Sequence, residues 1–199
     1  MRKLRGLLLL VTATFLLLSL SGCGVNVSTK SPENVTKSII QAYIKGDENA
    51  VKQCFGLSKK DKVPSELSQE VNYNMNLFQA HGAESVKFTK CESLGNFNGF
   101  ELVYVIYNME KQEKNSETLE IPAMSFYYVQ KKQKKYYIVP AKDVTEDMSE
   151  NSRKEYRKFM KTDEYKTYER DYRQFIRKNP SYEEDLSKSL QKITDSNKQ

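Results

Sequence analysis

Apolar positions along this chain follow four successive patterns, and each change of pattern marks a different kind of segment. Gly6 to Leu20 is a nearly continuous apolar run behind Arg2, Lys3 and Arg5, broken only by Thr12, Thr14 and Ser19. At 15 residues it falls short of the roughly 20 that a spanning helix needs. Charge, apolar core and then small residues is the order of a secretory leader that is cut away, so residues 1–22 are expected to be removed. The alternative, a retained anchor helix, also leaves the globular part outside the cytoplasm. Residues 24–30 then read as a polar tether.

From Ser31 the period becomes helical. Ser31-Pro32-Glu33 supplies a capping hydroxyl, a proline whose missing N–H costs nothing there, and an acid suited to the helix dipole. Val35, Ile39, Ile40, Tyr43 and Ile44 share one face, and Gly46 ends the helix. Asp47 caps a shorter helix carrying Ala50, Val51, Cys54 and Phe55, closed by Gly56. A third is predicted from Pro64 to His81, with Leu67, Val71, Met75 and Phe78 in register.

From Ser85 the pattern is extended and aromatic. Val86-Lys87-Phe88 begins a strand, and residues 95–99 read as a glycine- and asparagine-rich turn. Phe100 to Met109 is apolar on both faces, which predicts a strand covered on both sides. Leu119 to Val129 follows a polar link, and its Pro122 lacks a donor and implies an edge or bulge. A charged turn at 130–135 leads to Tyr136-Tyr137-Ile138-Val139, which Pro140 ends. In the last segment Tyr156, Phe159, Met160, Tyr168, Tyr172, Phe175 and Ile176 recur at three- and four-residue intervals, predicting one charged amphipathic helix over 149–178. Tyr182, Leu186, Leu190 and Ile193 mark a second, and residues 194–199 are expected to fray.

Charge changes little once the leader is set aside. The chain has 32 basic and 26 acidic residues, and removing Arg2, Lys3 and Arg5 leaves 29 against 26, or +3. Residues 149–178 hold ten Lys or Arg and six Asp or Glu, so the surplus lies there. Arg153, Arg157, Arg170, Arg173 and Arg177 suit either an anionic envelope surface or a solvated helix face. Interleaved acids and export argue against nucleic acid.

Candidate chemistry is sparse. His81 is the only histidine, and beside Gly82 it reads as a residue capping helix-end carbonyls. No metal-ligand spacing, phosphate loop or dinucleotide motif is present in the sequence, so no cofactor or metal is expected. Tyr43, Tyr104 and Tyr127 are candidates to line a ligand cavity, or to pack the core as aromatics at such spacings do. Cys54 and Cys91 read either as two small buried apolar side chains or as a disulfide.

Two resemblances add to this. Leu20-Ser21-Gly22-Cys23 resembles the bacterial lipobox, which implies a diacylglyceryl group on Cys23, cleavage before it, and attachment to the extracytoplasmic face of the cell membrane. Ser31-Pro32-Glu33, Gly46-Asp47 and Lys134-Lys135-Tyr136-Tyr137-Ile138, within residues 31–140, are similar to the nuclear transport factor two-like superfamily as found in small lipoproteins of Gram-positive bacteria. The resemblance implies an α+β fold, with N-terminal helices packed into a curved, cone-like antiparallel sheet. Residues 141–199 would be a helical extension. The function expected is a non-enzymatic binding module for a protein, peptide or small ligand. A structural component of an envelope, secretion or conjugation assembly is the alternative, and a small-pocket enzyme the third reading.

Overall fold

The computed structural model describes residues 24–113 and 116–197. The leader expected over 1–22 and the candidate lipobox residues Leu20, Ser21, Gly22 and Cys23 lie outside the described residues. Helix α1 (Pro32–Lys45) begins where Ser31 Oγ accepts the Asn34 N–H at 3.2 Å. It ends at Gly46, whose φ of 63° is the left-handed conformation that suits glycine. Helix α2 (Glu48–Cys54) is capped by Asp47, and α3 (Ser65–His81) ends at Gly82. All three bury the faces that their periodicity marks, with Val35, Ile39, Ile40 and Val51 fully enclosed.

Four strands follow in an antiparallel sheet of order β1-β2-β3-β4: β1 (Ser85–Phe97), β2 (Phe100–Gln112), β3 (Thr118–Lys132) and β4 (Lys135–Ile138). The expected turn over 95–99 is tighter than the sequence suggests. Asn98 and Gly99 alone turn the chain, both at positive φ, while Gly95 to Phe97 stay in β1 beside a register shift. Strand β2 is covered on both sides as its pattern requires, with Val103 and Val105 fully buried on one face and Tyr104 at 4% exposure on the other. Pro122 is also where its missing donor predicts. Strand β4 pairs only with Val129–Lys132, so at Pro122 β3 has β2 on one side and a free edge on the other.

A 3-10 turn at Ala141–Asp143 leads to the last helices. The single helix expected over 149–178 is two, α4 (Glu146–Phe159) and α5 (Asp163–Lys178). Thr162 separates them, since its Oγ1 donates to Phe159 O at 2.7 Å and accepts the Tyr165 N–H at 3.3 Å, with Asp163 and Glu164 in the new first turn. Helix α6 (Tyr182–Ser196) continues past Thr194 instead of fraying there, because Thr194 Oγ1 bonds Leu190 O at 2.8 Å and Asn197 Nδ2 bonds Asn76 Oδ1 of α3 at 3.1 Å.

The protein is α+β, with helices before and after the sheet and a layer on each of its faces. On the front face, α1, α2 and α3 pack against Val103, Val105, Tyr107 and Met109. On the back, Tyr104 and Phe126 meet Phe159, with ring centroids 4.3 Å and 6.0 Å away. Helix α5 starts behind the sheet, where Tyr165 packs on Phe159, and ends in front, where Phe175 joins the core. The residues expected to be a tether are docked. Val25 N–H donates to Asp47 Oδ2 at 2.9 Å, Tyr136 N–H donates to Thr29 O at 3.0 Å, and Val25 and Val27 pack on the core. Alternation of valine with Asn26 and Ser28 gives this stretch an apolar side to bury.

Candidate functional site

Because β4 is short, the free edge of β3 meets side chains from helices instead of another strand. The result is a cleft of about 650 Å³ on the front face, within the usual size of ligand pockets. Strand periodicity points Tyr107, Ser125 and Tyr127 into it from the sheet. Glu70, Phe78 and His81 enter from α3 at helical spacing, and Tyr168, Tyr172 and Tyr182 close it from α5 and α6.

Several polar groups of this cleft are partnered. His81 Nδ1 and Tyr182 Oη are hydrogen-bonded at 2.6 Å, Tyr107 Oη and Ser125 Oγ at 3.0 Å, and Tyr172 Oη donates to Glu183 Oε1 at 2.8 Å. Glu70 Oε2 accepts the Ala141 N–H at 2.9 Å. Burial lowers the His81 pKa to about 4, since the charged imidazolium is the form that loses hydration. His81 is therefore neutral near pH 7, and its tautomer sets which of Nδ1 and the Tyr182 phenol donates in their bond. Burial raises the Glu70 carboxyl, an effect opposed by its bond from Ala141. Burial also pushes the Tyr107 phenol up to about 12, and burial followed by the Glu183 contact does the same for Tyr172. Tyr127 and Tyr182 move in the same direction for the same first cause. The wall is thus aromatic, hydroxyl-bearing and uncharged apart from Glu70.

Of the three tyrosines proposed for a cavity, only Tyr127 lines it. Tyr104 pairs with Phe126 while Tyr127 pairs with Val103, so the two point to opposite faces of the sheet. Tyr104 instead donates to Glu92 Oε2 at 3.2 Å behind the sheet. Tyr43 lies one layer deeper, stacked on Phe78 at 5.3 Å. His81 is not a simple carbonyl cap, since its ring pairs with Tyr182. No local spacing signals a partner 101 positions away. The run of Tyr165, Tyr168, Tyr172 and Phe175 was the legible sign that α5 carries an aromatic face.

Cys54 and Cys91 are free thiols. Cys91 Sγ approaches Glu33 O at 3.7 Å in the first turn of α1, whereas Cys54 lies close enough to Tyr43, near the other end, to act on its phenol. Ten helical residues separate those contacts, about 15 Å against a limit near 7 Å for bridged Cα atoms. Burial pushes both thiols up to about 12, the inert range. Among the described residues, no three His, Cys, Asp or Glu side chains are grouped to hold a metal ion. No helix among them is long and apolar enough to cross a membrane.

Comparison of the chain with protein-family models, with curated proteins and with solved structures finds no match.

Proposed function

We propose that this protein is a lipid-anchored module on the extracytoplasmic face of a bacterial cell membrane, and that it binds an apolar or aromatic group in the cleft beside β3 without transforming it. The sheet and its front helices then form the curved, cone-like arrangement of the nuclear transport factor two-like superfamily. The observation that carries this reading is the aromatic cleft. Its phenols offer flat apolar area, and the hydroxyls of Tyr107, Tyr172 and Tyr182 are engaged with protein partners, so shape and stacking would select the ligand. Anchoring rests on Leu20-Ser21-Gly22-Cys23. Two acyl chains on Cys23 would give stable attachment, because each buried methylene contributes about 0.8 kcal/mol and one chain is only marginally retained.

Two measurements test the proposal. A cell grown with an alkyne fatty acid should label the parent protein and not Cys23→Ala, and equal labelling removes the anchor. The chain has no tryptophan, so Tyr172→Trp makes a single reporter in the cleft. Fluorescence titration with a library of aromatic fragments should find saturable binding that Leu186→Arg, placed to fill the cleft, abolishes. A library with no saturable binder, or binding indifferent to Leu186→Arg, overturns the binding reading.

A further inference from the structure

The segment after the lipidation site is held to the domain at its first residues. Asp47 divides its carboxylate: Oδ1 accepts the Ala50 N–H at 3.0 Å and caps α2, while Oδ2 accepts the Val25 N–H at 2.9 Å. The approach is close, since a Cβ on Gly24 would stand 3.1 Å from that same Oδ2. Beyond it Val25 and Val27 bury apolar surface, and Ser28 N–H donates to Ser38 Oγ at 3.1 Å. Gly24 therefore has no slack. It shares a shallow depression with Lys45, Gly46, Asp47, Glu48 and Lys59.

Beside this depression runs the exposed loop Lys59-Lys60-Asp61-Lys62. Its acid is engaged locally, as Asp61 Oδ2 accepts the Ser58 N–H at 2.6 Å. The three lysines take part in none of the described salt bridges. A cation left without a protein partner next to a membrane anchor has headgroup phosphates as its nearest counter-charge.

We infer that residues 24–29 are a clasp that seats the Gly46–Asp47 end of the domain on the bilayer and brings Lys59, Lys60 and Lys62 to anionic phospholipid headgroups. This rests on the lipoprotein reading of Cys23. Adjacent Cα atoms are about 3.8 Å apart, so acyl chains on Cys23 would hold Gly24 at the headgroup level. Lys59, which lines the same depression as Gly24, is then drawn toward the surface with Lys60 and Lys62 next to it in the chain, and their attraction to the headgroups is felt over a screening length of roughly 8 Å to 10 Å. The cleft in turn acquires a fixed orientation to the membrane, which a flexible tether would not give.

The test uses the full lipidated protein in vesicles of phosphatidylglycerol and phosphatidylcholine. A water-soluble acylating reagent is applied, and modification of each lysine is read by mass spectrometry. Lys59, Lys60 and Lys62 should react about fivefold more slowly on vesicles than in detergent, while Lys154, exposed on α4 behind the sheet, reacts alike in both. Inserting about ten Gly and Ser residues between Cys23 and Gly24, with a mean reach near 17 Å, should erase the protection while leaving the Asp47 contacts intact. Asp47→Ala should erase it through the clasp itself. Equal reactivity at all four lysines in a protein whose mass shows fatty acid on Cys23 overturns the clasp and leaves the lipoprotein reading standing. Protection that survives the insertion overturns it too, and absence of fatty acid on Cys23 overturns both.

Discussion

The two faces of the sheet are closed by different materials. In front, α1 and β2 interlock branched aliphatic side chains, with Val35, Ile39, Ile40, Val103 and Val105 all fully buried. Behind, α4 and the start of α5 present rings and hydroxyls. Phe126, Tyr156, Phe159 and Tyr165 pack edge to face, and Tyr128 Oη donates to Met148 O at 3.1 Å. Branched aliphatics fill volume without directional demands, whereas aromatic rings favour particular geometries, edge to face among them. Where α5 passes from the back layer to the front around the free edge of β3, its Tyr168 and Tyr172 close the cleft that the short β4 leaves open. Stability is concentrated in one layer and adaptable surface where the other meets its edge.

Substitutions can break or sharpen that contrast. The largest effect is expected from Val105→Asp, which buries an uncompensated charge in the aliphatic layer and should cost about 4 kcal/mol or more in denaturant unfolding. Phe159→Ala removes the ring at the centre of the aromatic layer, 4% exposed, and should cost about 3 kcal/mol, with the front face retaining its amide protection in hydrogen exchange. The cleft adds a pH term. His81 titrates near 4 when folded and near 6.5 when unfolded, so between those values the unfolded chain binds more protons. Stability should therefore fall by about 2 kcal/mol as pH drops from 6.5 to 4, after discounting for partial exposure, and His81→Gln should remove that part of the slope.

Smaller changes probe each layer's surplus. Thr36 Oγ1 on α1 is buried without a hydrogen-bond partner, so Thr36→Val should raise stability by about 1 kcal/mol, read as a shifted unfolding midpoint. Reversing Arg153, Arg157 and Arg173 to Glu should change stability by less than about 0.5 kcal/mol, because these arginines face solvent; the one described ion pair among them, Arg173 to Glu169 at 2.7 Å, is exposed. A larger loss would show that the outer face of these helices packs against something.

The front layer was legible in sequence because its signals are local. Ser31, Gly46, Asp47 and Gly82 cap elements within a few residues of themselves, and periods of two and near four mark which side is buried. The break at Thr162 was also local, but the aromatic repeat runs through it and hides the capping signal of Thr162-Asp163-Glu164. The cleft was illegible for another reason. It depends on β4 stopping at Ile138 and on His81 meeting Tyr182, neither of which is encoded by spacing. Tyr104 and Tyr127 were grouped by residue type, and one register step put them on opposite faces.

Helices α5 and α6 close over His81 a cleft whose one charged lining side chain among the described residues is Glu70. This histidine is the only one in the chain, so its imidazole resonances can be followed by NMR through a pH titration without assignment by mutation. The expected midpoint lies near pH 4 and rises toward the ordinary value in Tyr182→Ala as water reaches the ring. A midpoint near 6.5 in the parent protein would mean that the ring is solvated, the helices are not docked there and the cleft does not exist as described.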